Sequence, residues 1–276
     1  MEGARFIKVE AHRGDLRWPL PQDFTQRLQG RGVERLERRA KYLLADLSSG
    51  EVLIMHLGMS GSFRVIELTR IHRPGRYYHA QPHRSAHDHV VFHMSSGALI
   101  SFNDPRRFGM MKLVPRSELE QEPLLRALGP EPLAREFDAT MLARLCKGKR
   151  TSLKAALSDQ RVVAGLGNIY VCEALHRARL SPMRRASSIA TRAGRPNERT
   201  GVLVQAIKAV LRAAIEAGGS SLRDHRRTDG ALGDFQHNFR VYDRAGKPCP
   251  RPACPGSIKR IVQAGRSTFF CPICQK

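Results

Sequence analysis

Two closely spaced pairs of cysteines near the end of this chain constrain its fold more than any other feature of the sequence. Cys249 and Cys254 form a C-x4-C pair, Cys271 and Cys274 form a C-x2-C pair, and sixteen residues separate the two pairs. Two thiolates at such spacing bind one ion, and four in a tetrahedral array suit Zn²⁺ with no coordination position left open. We therefore predict one structural zinc ion. The alternative is four reduced thiols without a metal.

The segment between the cysteine pairs predicts a β-hairpin. The stretches SIKRIVQ (257–263) and STFFC (267–271) are rich in Ile, Val, Thr and Phe, and AGR between them is a turn. Arg266 is then expected at or beside the hairpin tip, pointing away from the metal. A hairpin of this size has too little core to hold its tip still, so the zinc ion would supply the rigidity. A rigid tip that carries an arginine suits contact with phosphates or bases.

The charge of the chain indicates a polyanionic partner. Lys and Arg number 47 against 25 Asp and Glu, a formal net charge of +22. Such an excess favours nucleic acid, and the alternative is a general basicity unrelated to binding. No run of about 18 apolar residues predicts a membrane span, and the N-terminus lacks the pattern of a signal peptide. We expect a cytoplasmic protein, with Cys146 and Cys172 as small buried hydrophobic residues rather than disulfide partners.

Apolar periodicity divides the chain into a strand-rich part and a helix-rich part. The runs at 51–59, 89–94 and 98–103 predict strands, with a turn at 95–97, whereas 70–89 predicts a long exposed basic loop. Five histidines in that loop (His72, His79, His83, His87 and His89) suggest a metal site, but their irregular spacing favours a solvated loop.

Three runs between residues 118 and 225 predict helices. They are TSLKAALSDQ, NIYVCEALHRARL and NERTGVLVQAIKAVLRAAIEAGG, the last ended by Gly218 and Gly219. Its predicted buried face comprises Leu203, Ile207, Val210, Leu211, Ala214 and Ile215. Strands followed by helices are compatible with separate domains. We predict an α+β multidomain chain.

The stretch AGLGNIYVCEAL (164–175) resembles the helix-two-turn-helix motif of the formamidopyrimidine-DNA glycosylase family. Further similar motifs occur in the family's order: RRAKYLL, HLGMSGSF, DPRRFG, LGPEPL and a terminal zinc finger with GRSTFFC. The resemblance implies an N-terminal β-sandwich domain at 1–117, a helical domain with this motif at 118–225 and a zinc-finger hairpin at 240–276. It also implies a monomer that excises oxidised purines such as 8-oxoguanine from double-stranded DNA and cleaves the strand at abasic sites. Nucleoid association would follow from DNA binding.

The resemblance also implies roles for individual residues. Lys41 would lie near the lesion and assist strand cleavage, and Arg266 would grip the phosphates of the flipped nucleotide. Met59, Arg106 and Phe108 would fill the gap left by the flipped base; without the resemblance, the sequence favours core positions for Met59 and Phe108. The other implied DNA contacts are His87, Lys149 or its neighbour Arg150, Lys154, and Asn168, for which helix N-capping is the alternative.

The family's chemistry begins at an N-terminal proline followed by a glutamate, in an opening such as PELPEVE. This sequence begins MEGARFIKVE and contains no such segment. We therefore expect the N-terminal catalytic segment, including a first helix, to be missing from these residues, because of a misassigned start. The alternative is a catalytically inactive protein that binds damaged or abasic DNA.

Overall fold

The structure is a computed structural model, and it describes residues 1–66, 85–219 and 234–276. The chain divides into two compact units, Met1–Arg126 with Gly218–Asp234, and Ala127–Ala217 with Phe235–Lys276. In the first unit, two four-stranded antiparallel sheets form a sandwich, as predicted. The helices that the sequence predicted and the hairpin both belong to the second unit.

The described residues of the first unit form eight strands and a short helix, α1 (Phe24–Leu28). The strands are β1 (Phe6–Ala11), β2 (Val33–Arg39), β3 (Tyr42–Leu47), β4 (Glu51–His56), β5 (Ser62–Ile66), β6 (Asp88–Met94), β7 (Leu99–Asn103) and β8 (Met110–Pro115). One sheet has the order β1-β6-β7-β5 and the other has the order β2-β3-β4-β8.

The core of this unit explains the long apolar run of β4. Residues Val52 to Met55 are all buried, with exposed fractions of 0–1%. Leu53 and Met55 belong to the core of the sandwich. The segment that contains a 3₁₀ helix at Arg116–Gln121 packs against β4 and β8. A strand buried on both faces loses the alternation of apolar and polar residues, because neither face meets water.

The predicted basic loop ends earlier than expected. A 3₁₀ helix spans Ser85–His87 and β6 begins at Asp88, so His89 lies in a strand and its side chain is buried. His72, His79 and His83 lie outside the described residues. The turn at 95–97 joins β6 to β7 as predicted, with Gly97 at a φ of +82°.

The second unit contains four α-helices and the two-stranded hairpin. They are α2 (Ala139–Cys146), α3 (Leu153–Ser158), α4 (Asn168–Arg177) and α5 (Glu198–Glu216), followed by β9 (Lys259–Gln263) and β10 (Arg266–Phe270). Helix α4 packs on α3, α5 and β10, so it connects the helical part to the hairpin.

The predicted buried face of α5 is correct over most of its length and wrong at its end. Leu203, Ile207, Val210 and Ala214 are buried, whereas Ile215 is 67% exposed in the last turn of the helix.

Elsewhere in this unit, the thiols of Cys146 and Cys172 are buried as predicted, and burial raises the pKa of each to about 11. Among residues 1–66, 85–219 and 234–276, no helix has the length and apolar character that a membrane span requires.

Replacing Phe92 with alanine should lower the free energy of unfolding of the sandwich unit by about 3–5 kcal/mol, because it leaves a cavity. The Phe92 ring is fully buried and lies 5.4 Å from the ring of Phe6. Ile7→Ala on β1 is the control; that side chain is 56% exposed, and its loss should lower the free energy by less than about 1 kcal/mol. Urea denaturation measures both, and equal effects would contradict the assignment of the inward face.

Candidate nucleic-acid interface and zinc site

Met59, Arg106 and Phe108 lie together on two turns of the first unit. Met59 is 64% exposed and Phe108 is 42% exposed, so the core alternative for both is wrong. The guanidinium of Arg106 stacks on the ring of Phe108, with 4.8 Å between its Cζ atom and the ring centroid. Two large apolar side chains and a cation therefore project from one place on the surface.

The two turns touch through their backbones at Gly58. This glycine has a φ of +68°, and a Cβ atom built on it would lie 2.4 Å from the carbonyl carbon of Phe108. Any other residue would push the turns apart. Because β4 pairs with β8, the turn after β4 and the turn before β8 are neighbours at the same end of the sheet.

Sequence reasoning missed the buried residue that links these turns, Asp104. Its carboxylate is fully buried and accepts hydrogen bonds from Ser60 Oγ at 2.6 Å and from the Gly109 N–H at 2.7 Å. Its backbone N–H donates to the carbonyl of His87 at 3.0 Å. The Asp-Pro pair in DPRRFG was the available signal, because a polar residue between a buried strand and a turn often bonds the backbone.

Lys41 lies in the turn that joins β2 to β3, where it is exposed. It is not a strand residue. Near it, the ring of His56 lies 5.0 Å from that of Tyr42, and His56 Nδ1 accepts a hydrogen bond from the Gly58 N–H at 2.9 Å. Burial lowers the pKa of His56, and the charges of Lys41 and Arg17 lower it further. A neutral imidazole therefore supports the turn that carries Met59.

The neighbouring segment at residues 15–18 adds another aromatic–cation pair. The guanidinium of Arg17 lies 5.2 Å from the ring centroid of Trp18, which is 47% exposed. The Arg17 N–H donates to the Gly109 carbonyl at 3.0 Å, and Arg107 Nη1 donates to Asp15 Oδ2 at 3.3 Å. The segment is therefore attached to the turn that carries Arg106 and Phe108.

In the second unit, Asn168 is the first residue of α4, and its N-cap is Gly167. The alternative that Asn168 caps the helix is therefore wrong. Its Nδ2 donates instead to the Ser267 carbonyl of β10 at 2.9 Å. The helix start is held against the residue that follows Arg266.

Lys154 and Arg266 belong to the same neighbourhood. Lys154 is 1% exposed on α3, and burial lowers its pKa, as does the positive charge of Arg266. The Pro182 carbonyl accepts hydrogen bonds from the Lys154 N–H at 3.2 Å and from Gln263 Nε2 at 3.4 Å, so α3 is connected to the hairpin tip. Arg266 is exposed and begins β10 beside the turn at 264–265, as predicted.

Lys149 and Arg150 lie in the link between α2 and α3. Lys149 is half-buried and Arg150 is exposed. The charge of Lys149 opposes the rise that burial causes in the pKa of Cys146, and it adds to the lowering of the Asp159 pKa that the hydrogen bond from Arg161 chiefly causes. Neither Lys149 nor Arg150 takes part in the hydrogen bonds that connect α3 and α4 to the hairpin.

Two polar residues that the sequence analysis did not select shape this region. Gln160 spans the glycine-rich turn, accepting from the Gly165 N–H at 2.8 Å and donating to the Leu166 carbonyl at 3.1 Å. Glu173 is buried on α4 and accepts from the backbone N–H groups of residues 240–242 at 2.8–3.0 Å. Burial raises the pKa of Glu173, and the three N–H groups oppose that effect.

The four predicted zinc ligands converge. The Sγ atoms of Cys249, Cys254, Cys271 and Cys274 all lie within 4.8 Å of one another. The Cys249–Cys274 and Cys254–Cys271 sulfur distances are both 3.7 Å. Tetrahedral Zn–S bonds of about 2.3 Å place sulfurs roughly 3.8 Å apart, so the site fits zinc. Val241, Ile258 and Phe269 pack against the cysteines and give the hairpin its small core.

Comparison with known proteins identifies the family. Three family models match the chain: the formamidopyrimidine-DNA glycosylase N-terminal domain at 1–111, its H2TH domain at 128–226, and a zinc finger found in FPG and IleRS at 246–276. A formamidopyrimidine-DNA glycosylase from Bradyrhizobium sp. (strain BTAi1) is 65% identical over 276 residues, covering 100% of this chain and 94% of the relative. The chain belongs to the formamidopyrimidine-DNA glycosylase family.

Solved structures of the formamidopyrimidine-DNA glycosylase family share the fold. The crystal structure of the MutM (FPG) protein from Thermus thermophilus is 40% identical with a TM-score of 0.81, covering 100% of this chain and 92% of that one. A complex of Lactococcus lactis Fpg with DNA containing an abasic site is 29% identical with a TM-score of 0.82, covering 100% and 94%. The fold predicted from the sequence is confirmed.

Replacing Cys271 with serine should abolish stoichiometric zinc binding, because three thiolates and a hydroxyl cannot complete the tetrahedral site. We expect one zinc ion per chain in the unaltered protein and loss of hairpin order in the variant, measured by metal analysis and amide hydrogen exchange of residues 259–270. Cys146→Ser is the control, because that buried thiol lies outside the cysteine cluster. A zinc content unchanged by Cys271→Ser would disprove the assignment.

Lowering the pH should weaken the sandwich unit through His56. Its pKa in the folded state is below the ordinary value of 6.5, so below that pH the unfolded chain binds more protons than the folded one. The stability from neutral His56 is therefore present above pH 6.5 and declines as the pH falls. Urea midpoints between about pH 5 and pH 7.5 should fall less in His56→Asn than in the unaltered protein. Parallel curves would exclude this role.

Proposed function

We propose that this protein excises oxidised purines from double-stranded DNA and cleaves the strand at the abasic site that results. The observation that carries the proposal is the exposed group of Met59, Arg106 and Phe108 on two turns that are in contact. An enzyme that removes a base from a duplex must first flip it out of the stack. Side chains of this kind fill the gap: apolar groups replace stacking, and the arginine hydrogen-bonds the orphaned base.

The second unit supplies groups that suit a phosphate backbone. Asn168 begins a ten-residue helix, whose first N–H groups attract anions. Lys154 and Arg266 place positive charge near that helix start, and the chain carries a net charge of +22. We propose that Arg266 and Asn168 hold phosphates beside the lesion, that Lys154 lies near the damaged base, and that His87 with Lys149 or Arg150 adds further contacts to DNA.

The cysteine cluster would hold one zinc ion with a structural role. Zinc coordinated by the four thiolates would hold together a hairpin whose core is small. The residues of the hairpin make the remaining contacts: Phe269 packs against the cluster, and the Ser267 carbonyl receives the Asn168 amide next to Arg266. The strand that begins with Arg266 is therefore held at Ser267 and at Phe269.

The excision step follows the chemistry that the family resemblance implies. A secondary amine attacks C1′ of the sugar, the base leaves as it gains a proton, and a Schiff base joins the enzyme to the sugar. We propose that the amine belongs to a Pro-Glu opening that these 276 residues do not contain, with the glutamate protonating the ring oxygen. Lys41 and Arg266 would then assist the eliminations that release the two flanking phosphates.

The alternative of a damage-binding protein without turnover is not favoured, because a relative that is 65% identical over the whole chain is a formamidopyrimidine-DNA glycosylase. The predicted monomer, the nucleoid association and the three-domain division at 1–117, 118–225 and 240–276 remain parts of this proposal. The partner that we propose is duplex DNA with damaged purines or abasic sites, as in the Lactococcus lactis Fpg complexes.

A chain that carries a Pro-Glu-Leu-Pro-Glu-Val-Glu opening should be trapped covalently by borohydride on DNA containing 8-oxoguanine. The 276 residues alone should bind the same DNA with little trapping, because the proposed amine is lacking. Gel electrophoresis measures the covalent complex. An extended chain that is not trapped would reject glycosylase activity.

In the extended chain, Arg266→Ala should slow strand cleavage at an abasic site by roughly 10²-fold, the effect of removing one charged donor from a developing anion. Arg260→Ala is the matched control. It removes the same charge from the same hairpin, where Arg260 Nε donates to Ser267 Oγ at 3.0 Å. Equal slowing in both variants would reduce Arg266 to a contribution of general charge.

A further inference from the structure

We propose that Asp104 is the positioning residue that makes Met59, Arg106 and Phe108 move as one rigid insert. The inference rests on the proposed function and assigns a role to a residue that cannot touch DNA itself, because its side chain is fully buried. The substrate class is unchanged. What Asp104 determines is how well the protein distinguishes a duplex with a missing base from an intact one.

The carboxylate of Asp104 holds the two turns with its two oxygens. Oδ1 accepts the hydroxyl hydrogen of Ser60, the residue after Met59, at 2.6 Å. Oδ2 accepts the N–H of Gly109, the residue after Phe108, at 2.7 Å. Hydrogen bonds to a buried carboxylate are stronger than neutral ones, and breaking one leaves a costly unpaired group.

Ser60 extends this connection to Arg106. Ser60 is 3% exposed, and while its hydroxyl donates to Asp104 it accepts the Arg106 N–H at 3.2 Å. The backbone of Asp104 adds two bonds: its carbonyl accepts from the Arg107 N–H at 3.2 Å and is 2.9 Å from His89 Nε2. Each end of the exposed group is therefore fixed through one buried residue.

Rigidity matters here because the inserted side chains are exposed in the free protein. A long exposed side chain on a mobile turn loses conformational entropy when it enters a duplex, and that loss weakens binding. A turn that is already fixed avoids most of it. Contacts to phosphates do not need the inserted side chains. The affinity for intact duplex should therefore not depend on Asp104, whereas the affinity for a duplex that lacks a base should.

Four variants separate positioning from general stability. Asp104→Ala removes both acceptors. Asp104→Asn retains an acceptor for Gly109 and a polar group for Ser60, so it should keep most of the positioning of the two turns. Ser60→Ala removes only the bridge and decides the question if Asp104→Ala does not fold. Asp88→Ala is the matched control: this aspartate is also buried, but its carboxylate accepts from strand residues rather than from either turn, namely from Asn103 Nδ2 on β7 at 2.8 Å and from Arg64 Nη2 on β5 at 3.4 Å.

The first measurement uses the free protein and does not depend on the proposed function. Methyl-¹³C labelling of methionine gives eight signals, and loss of one signal in Met59→Leu assigns Met59. Its chemical shift should move towards the unfolded value in Asp104→Ala and Ser60→Ala and stay in place in Asp104→Asn and Asp88→Ala. An unchanged Met59 signal in Asp104→Ala and Ser60→Ala would overturn the inference, whatever the protein does to DNA.

The second measurement uses duplexes that contain either a tetrahydrofuran abasic analogue or an intact base pair, with 2-aminopurine opposite the analogue. The unaltered protein should prefer the abasic duplex and change the 2-aminopurine fluorescence; failure of that arm rejects the proposed function. Against that reference, Asp104→Ala and Ser60→Ala should lose about tenfold of the preference and most of the fluorescence change, with unchanged binding of intact duplex. Full preference in both variants, or an equal loss in Asp88→Ala, would overturn the role of Asp104.

Discussion

Hydrogen bonds from loop residues to buried carboxylates hold the exposed parts of this protein in place. Asp104 accepts from Ser60 and Gly109 in the first unit, and Glu173 accepts from residues 240–242 in the second. A turn has no ladder of backbone hydrogen bonds of its own, so its N–H groups need acceptors elsewhere. A buried carboxylate offers several acceptor positions at one point and therefore fixes several residues at once.

The zinc site and the start of α4 likewise hold the hairpin in place through groups outside its two strands. The core around Val241, Ile258 and Phe269 is too small to order a two-stranded hairpin in water. Four sulfur ligands at one end and the Asn168 amide on the Ser267 carbonyl provide what the core lacks. Arg266 directly precedes Ser267, so this exposed arginine at the hairpin tip lies next to a residue that Asn168 holds.

Many of the helices and strands and the zinc site were predictable, because local sequence patterns determine them. Cysteine spacing alone predicts the zinc site, and periodicity predicts β6, β7 and α3 to α5. The face of α5 fails at Ile215 because the last turn of a helix need not be covered. Asn168 was expected as a cap or a phosphate contact, and its bond to Ser267 could not be predicted from local sequence, because those residues are 99 positions apart. The role of Glu173 was missed for the same reason, because residues 240–242 are distant from it in the sequence. For Asp104 the Asp-Pro pair was a local signal, but its partner Ser60 is 44 positions away.

The sequence contains a single tryptophan, Trp18, which lies under the Arg17 guanidinium and is about half exposed. Its neighbour Arg17 is bonded to Gly109, next to the turn that enters DNA in our proposal. An indole in such a place responds to any change in the cation above it or in the water around it. The molecule thus contains an intrinsic optical reporter, and its emission follows events at this turn without a dye.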